Sequence, residues 1–143
     1  MPFAVEIKSD KLENLTAALA ERILDVVKYT ALEAEAAAKM SAPFDTGALR
    51  NSIYLVTPEH SGYEAAAAAA AAANPKATLF PSLEPSHDLE ALLAVGVNYG
   101  TYLEYGTSRA GAQPFFIPAV LGRREAFRRR MAKAFRDAAA GAL

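Results

Sequence analysis

One stretch limits what this chain can fold into more than any other: Ser41 to Ile53, SAPFDTGALRNSI. Upstream lies a long helical pattern with hardly a turn signal; downstream the apolar period becomes that of a strand. Pro43 has no N–H with which to continue a helix, and it pushes Ala42 towards extended geometry. Asp45, Thr46 and Gly47 are turn residues. The first two can bond their own backbone, and Gly47 supplies a positive φ where one is needed. Arg50 sets a charge at the mouth of the strand. The expected ties are an Asp45 carboxylate that accepts backbone N–H groups and pairs with Arg50. Pro43, Asp45, Thr46, Gly47 and Arg50 are thus read as a structural turn that fixes how a long helix enters a sheet.

The helix itself is announced further upstream. Phe3, Val5 and Ile7 alternate with Ala4, Glu6 and Lys8, a short half-buried strand. Asp10 with Glu13 makes a capping-box-like start. Leu12, Leu15, Leu19, Ile23 and Val26 then recur at three- and four-residue spacing, one apolar stripe of a helix running to about Lys39. Glu13, Glu21, Asp25 and Lys28 fall opposite. From Ala31 the stripe turns to alanine, whose small side chain permits close backbone approach.

Beyond the turn, Ser52 to Thr57 predicts a strand covered on both sides, Ile53 and Leu55 on one face and Tyr54 and Val56 on the other. Pro58 closes it. Residues 58–90 carry repeated breakers around nine consecutive alanines, Ala65 to Ala73. Alanine favours helix, but so short a helix is marginal alone and offers no large side chain as an anchor. The stretch is expected to be a tolerated surface insertion, helix or mobile loop; the alternative is a projecting arm that grips a neighbouring subunit. Leu89 to Val97 predicts a buried strand, and Asn98 to Tyr105 a short helical turn with Gly106 as its left-handed stop. Gln113 to Phe116 reads as extended. Pro118 suits the first turn of a last helix whose buried face is Leu121, Phe127, Met131 and Phe135, ending at Gly141.

A chain of 143 residues fits one domain, and the expected fold is α+β: a small antiparallel sheet packed against the long N-terminal helix and the C-terminal helix. Although 52% of residues are hydrophobic, many are alanine, so the core is modest. With no cysteine there is neither a disulfide framework nor a thiolate metal site. His60 and His87 both stand in loop-like context, where solvated histidines are the ordinary reading. The N-terminal segment lacks the pattern of a secretory signal, and the alanine tract is too short and too weakly hydrophobic to span a bilayer. A soluble protein of a cytoplasm-like compartment is expected, with no membrane partner.

Net charge is −1, unevenly spread: residues 1–104 sum to −7 and residues 105–143 to +6. That asymmetry suits head-to-tail contact between copies, or a basic face towards an anionic partner. The cations concentrate in the last helix at Arg123, Arg124, Arg128, Arg129, Arg130, Lys133 and Arg136.

A second motif block, VGVNYGTYLEYGTSRAGAQPFFIPA, spans Val95 to Ala119. Together the two blocks resemble the neck and tail-completion proteins of siphophages, the head–tail joining family of tailed phages. Their pattern is AP-x-DTG-x-LR-x-SI, then a tyrosine-rich segment ending in E-aromatic-GT, then PF-x-x-PA. Here it is carried by Ala42, Pro43, Asp45, Thr46, Gly47, Leu49, Arg50, Ser52 and Ile53. Tyr99, Tyr102, Glu104, Tyr105, Gly106, Thr107, Pro114, Phe115, Pro118 and Ala119 complete it. The departure is the insertion at about 58–90. The resemblance implies a structural virion protein at the head–tail junction, assembled in the host cytoplasm. It implies a homo-oligomeric ring, six-fold or twelve-fold, that completes the tail. Neighbouring neck, connector or tail-tube proteins would be its partners, and DNA would pass through the ring. Candidate interface residues are Tyr99, Tyr102, Glu104, Tyr105, Arg109 and Phe115, with Arg123, Arg124, Arg128, Arg129, Arg130 and Lys133 of the basic helix.

Two other chemistries are written in the residues. Asp45-Thr46-Gly47-Ala48 matches the aspartic-protease signature, and Val120-Leu121-Gly122-Arg123 is similar to a segment of retroviral proteases. A homodimer would then bring two Asp45 carboxylates together to share a proton. That signature needs an almost all-β chain, however, and a long helical pattern precedes Asp45. The basic helix, alternatively, suits a nucleic-acid-binding accessory protein gripping phosphates. Glu104 among tyrosines is expected to pair with Arg109 or with a neighbouring subunit. No phosphate loop, nucleophile with its base, or metal-ligand cluster is legible, so neither catalysis nor a cofactor is expected.

Overall fold

The computed structural model describes residues 3–7, 17–138 and 140. Four strands form an antiparallel sheet in the order β1-β4-β2-β3: β1 is Phe3–Ile7, β2 Ile53–Thr57, β3 His60–Ser61 and β4 Ala91–Val95. β4 lies in the interior, with Ala94 opposite Ala4 on one side and Tyr54 on the other. All five of its residues are buried, as an apolar run without alternation requires.

The long helix α1, Ala17–Ser41, covers one face of the sheet. Its buried line is Leu19, Ile23, Val27, Ala31, Ala34 and Ala38. Val26, placed on that line by the sequence pattern, is only half-buried, and Val27 takes the inward position. The capping pair Asp10 and Glu13, together with Leu12 and Leu15, lies outside the described residues. The alanine end does pack closely, since Ala34 and Ala38 are fully buried in one cluster with Ile53, Leu93 and Val95.

The opposite face carries Tyr54, Val56, Leu92 and Ala94. It is covered by the alanine tract, which forms the helix α3, Tyr63–Ala73. Ala66 and Ala70 are buried, and Tyr63 sets its ring edge-to-face on Tyr54 at 5.2 Å. The Tyr63 hydroxyl donates to the carbonyl of Phe80 at 2.7 Å, pinning the following segment over the helix start. The expectation of an insertion without a core role is therefore corrected: small side chains let this helix lie against the sheet, and Tyr63 supplies the anchor that the alanines lack.

Short helices complete the chain: α2, Ala48–Asn51; α4, Gly100–Tyr105; α5, Ile117–Leu121; and α6, Arg124–Asp137. The last helix of the sequence reading is thus two helices. At their junction the Arg123 N–H bonds the carbonyl of Val120, three residues back, and this tight turn shifts the helical phase. Ala119 faces the core while Leu121, expected inside, is 59% exposed. Phe135, also expected inside, is 39% exposed, because Ala134 and Ala138 occupy the buried side instead. Both α5 and α6 pack on α1.

Candidate functional site

The two motif blocks meet in space. Leu49 and Ile53 of the first share one buried cluster with Val95, Val97, Phe115, Phe116 and Ala119 of the second. The Gly96 N–H donates to the Ser52 carbonyl at 2.9 Å, joining the blocks directly.

The turn is built largely as its residues dictate. α1 ends two residues before Pro43, and Gly47 has φ +89°, the left-handed conformation that a side chain strains. The Thr46 hydroxyl accepts from the Ala48 N–H at 3.2 Å, and the Ser52 hydroxyl donates to the Leu49 carbonyl at 2.8 Å. Asp45 departs from expectation. It is exposed, and among the described residues no hydrogen bond or ion pair reaches its carboxylate. Arg50 turns away from it and places its guanidinium 5.1 Å from the centre of the Phe44 ring. Thr46 serves the N–H that Asp45 was expected to serve, since a hydroxyl one residue closer already fits the geometry. Tyr99 of the second block leans on this turn. Burial, and next the charge of Asp45, push its phenol up, while the nearby Leu49 backbone and Thr46 side chain act in the opposite direction.

Glu104 is the main correction. It is 3% exposed and pairs with neither Arg109 nor an outer surface. Its carboxylate accepts three backbone N–H groups, from Phe115 at 2.8 Å, Phe116 at 3.0 Å and Ile117 at 2.9 Å. These groups open α5, whose N-cap position is Phe116 and offers no side-chain acceptor. A distant carboxylate therefore caps the helix by charge-assisted bonds. The signal was present in the sequence: Phe-Phe-Ile before Pro118 leaves orphan donors with no local Ser, Thr, Asp or Asn to take them. Phe115, 1% exposed, is likewise core and no contact surface. Gly106 has the expected positive φ, +79°, but with ψ 176°, so it redirects the chain into an extended path and not into a left-handed cap. The loop beyond is tied by Thr107, whose hydroxyl accepts from Arg109 and Ala110, with the Arg109 side chain exposed at the tip.

The other candidates divide by exposure. Tyr102 and Tyr105 are more than half exposed on α4. Arg130 belongs to the fold: it bonds Glu33 of α1 at 2.5 Å and Thr30 at 3.3 Å, and stacks over Tyr29 at 4.6 Å. Glu33 is accordingly held below the usual carboxylate range, first by the Arg130 hydrogen bond. Arg123 is half-buried. Lys133 pairs with Asp137 and Arg128 with Glu125 on the helix surface. Arg124 and Arg129 are exposed and have no partner among the described residues.

Two surface features were not singled out in the sequence. Tyr29, Leu32 and Met40 form an exposed row on α1, continued by Phe44, each more than half exposed. A cleft of about 480 Å³ opens at the β2–β3 hairpin and brings His60 and His87 to one surface with Glu59, Glu84 and Asp88. No group of three or more metal-ligating side chains is assembled among the described residues, and no described helix is long and apolar enough to cross a membrane. No family model, curated protein or solved structure matches the chain.

Proposed function

We propose that this protein is a structural subunit of a tailed phage, forming a ring at the head–tail junction that completes the tail and joins it to the connector. Its activity on this reading is binding, without catalysis. One observation carries the reading. The two blocks that resemble the head–tail joining family fold onto each other, and Thr46, Ser52 and Glu104 are used there as internal ties. Such a hub serves as a rigid scaffold and leaves the outward helix faces for contact. The exposed row Tyr29, Leu32, Met40 and Phe44 is the kind of apolar patch that marks a protein surface meant to be covered.

Electron microscopy of the purified protein tests this. Closed rings of uniform diameter are expected. Particles of single-copy size at every concentration would overturn it. The exposed cations of α6 favour the second reading, a nucleic-acid-binding accessory protein; that reading requires the unassembled chain to shift duplex DNA in a gel.

A further inference from the structure

The charge asymmetry seen along the sequence becomes an asymmetry between two surfaces of the molecule. Residues 123–137, which hold α6, carry seven bases and two acids, a net +5. α6 lies on the α1 side. Residues 58–90 carry five acids and one base, a net −4. Much of this segment covers the opposite face, through Ala66, Tyr63 and Leu83. The head-to-tail contact that the charge asymmetry suits has one ready acidic surface in α1, with Glu21, Asp25 and Glu33. Part of that face is engaged within the chain: Glu33 is held by Arg130, and Asp25 lines the groove between α1 and α6 with Lys133, while Glu21 stays exposed.

What stays uncovered is the outer side of α6, with Arg124, Arg128, Arg129, Lys133 and Arg136 exposed. Like charges one turn apart, such as Arg124 with Arg128, repel. On the other side, the hairpin cleft is lined by Glu59, Glu84 and Asp88 and by no Lys or Arg. Lys28 of α1 offsets Glu59 at 2.6 Å, whereas Glu84 and Asp88 have no ion-pair partner among the described residues. A concave wall of one sign focuses its field on an approaching opposite charge.

We infer that the outer face of α6 in one copy docks into the hairpin cleft of a second copy of this chain. The two patches differ, one on the outer side of α6 and the other at the β2–β3 hairpin, so the contact is heterologous, the type that closes into a ring where the rotation between copies allows. The inference rests on the ring reading and specifies which surfaces meet.

A charge-swap experiment tests it. One variant carries Arg129→Glu with Arg136→Glu, and the other Glu84→Arg with Asp88→Arg. All four positions are exposed, and circular dichroism checks folding. Each variant alone should associate roughly tenfold more weakly, or worse, than the unmodified chain by light scattering. An equimolar mixture should recover association, because each reversed patch then finds its complement on the other variant. Added salt should weaken association of the unmodified chain, an arm that needs no substitution. The inference is overturned if the cleft variant assembles like the unmodified chain or if the mixture stays dissociated; the ring reading survives both outcomes. A chain that is monomeric without any substitution overturns both. Assembly unaltered in both variants, with duplex DNA bound by the unmodified chain and lost only in the Arg129→Glu, Arg136→Glu variant, assigns the α6 face to nucleic acid instead.

Discussion

At the scale of single residues, the fold is held at two points where a local need has only one good answer. Gly47 sits at φ +89°, and a Cβ built there would stand 3.2 Å from the Phe44 ring. A branched side chain pays for both the strained backbone and the contact. Gly47→Val should therefore lower stability by about 1 kcal/mol or more, read as a fall in melting temperature. An unchanged melting temperature would mean that the turn does not depend on that conformation. Glu104 answers three orphan N–H groups at once, in a site nearly closed to water. Glu104→Ala should cost about 3 kcal/mol or more, because buried donors left without an acceptor lose their full solvation. Chemical denaturation measures this directly, and a loss below about 1 kcal/mol would show that water replaces the carboxylate. Asp45 has no such duty, so Asp45→Asn should leave the melting temperature unchanged and the protein should cleave no peptide at acidic pH. Pepstatin-sensitive cleavage that disappears in the variant would favour the protease reading.

At the scale of elements, α3 and the α1–α6 contact carry the clearest consequences. Ala70 is fully buried, so Ala70→Glu should destabilise by about 3 kcal/mol or more, a charge having been forced into a packed site. A stable Ala70→Glu protein would return the tract to the status of a dispensable insertion. The Glu33–Arg130 tie is pH-dependent in a defined direction. Arg130 holds Glu33 below the ordinary carboxylate range, so the unfolded chain takes up that proton first on acidification. The contribution is present above about pH 4.3 and is lost as pH falls through the lower, folded value. Glu33→Gln should melt below the unmodified protein at neutral pH, and the gap should close in acid; a gap that persists would place the effect elsewhere. Much of this architecture was legible. Pro43 and Gly47 announced the turn, alternation gave β1, and the apolar run at β4 announced an interior strand. What was not legible depended on partners distant in sequence. Nine alanines say nothing about which sheet face they will lie against; Tyr63 meeting Tyr54 and Phe80, and Asn51 bonding the Ala69 carbonyl, help to decide it. Val27 displaced Val26, and Ala134 displaced Phe135, because close helix packing selects small or well-aimed side chains over the largest apolar ones. At the candidate site, Glu104 stands out in the sequence but its role does not, since a carboxylate's role depends on which backbone amides the fold brings to it.

At the scale of the whole molecule, the cations gather on α6 and acids line the hairpin cleft, and a row of exposed apolar side chains runs along α1. Neither feature helps an isolated copy. Surface cations on α6 recover less than about 1 kcal/mol from each neighbouring acid, and an uncovered apolar row leaves its transfer free energy unrealised. Both fit the proposed closed assembly of identical copies. Native mass spectrometry in a low-salt volatile buffer bears on that most directly. A closed ring gives one discrete species at a fixed multiple of 15.2 kDa, larger than a dimer and unchanged over a wide range of concentration. A species of 15.2 kDa at every concentration, or a ladder of masses that never closes, would contradict it.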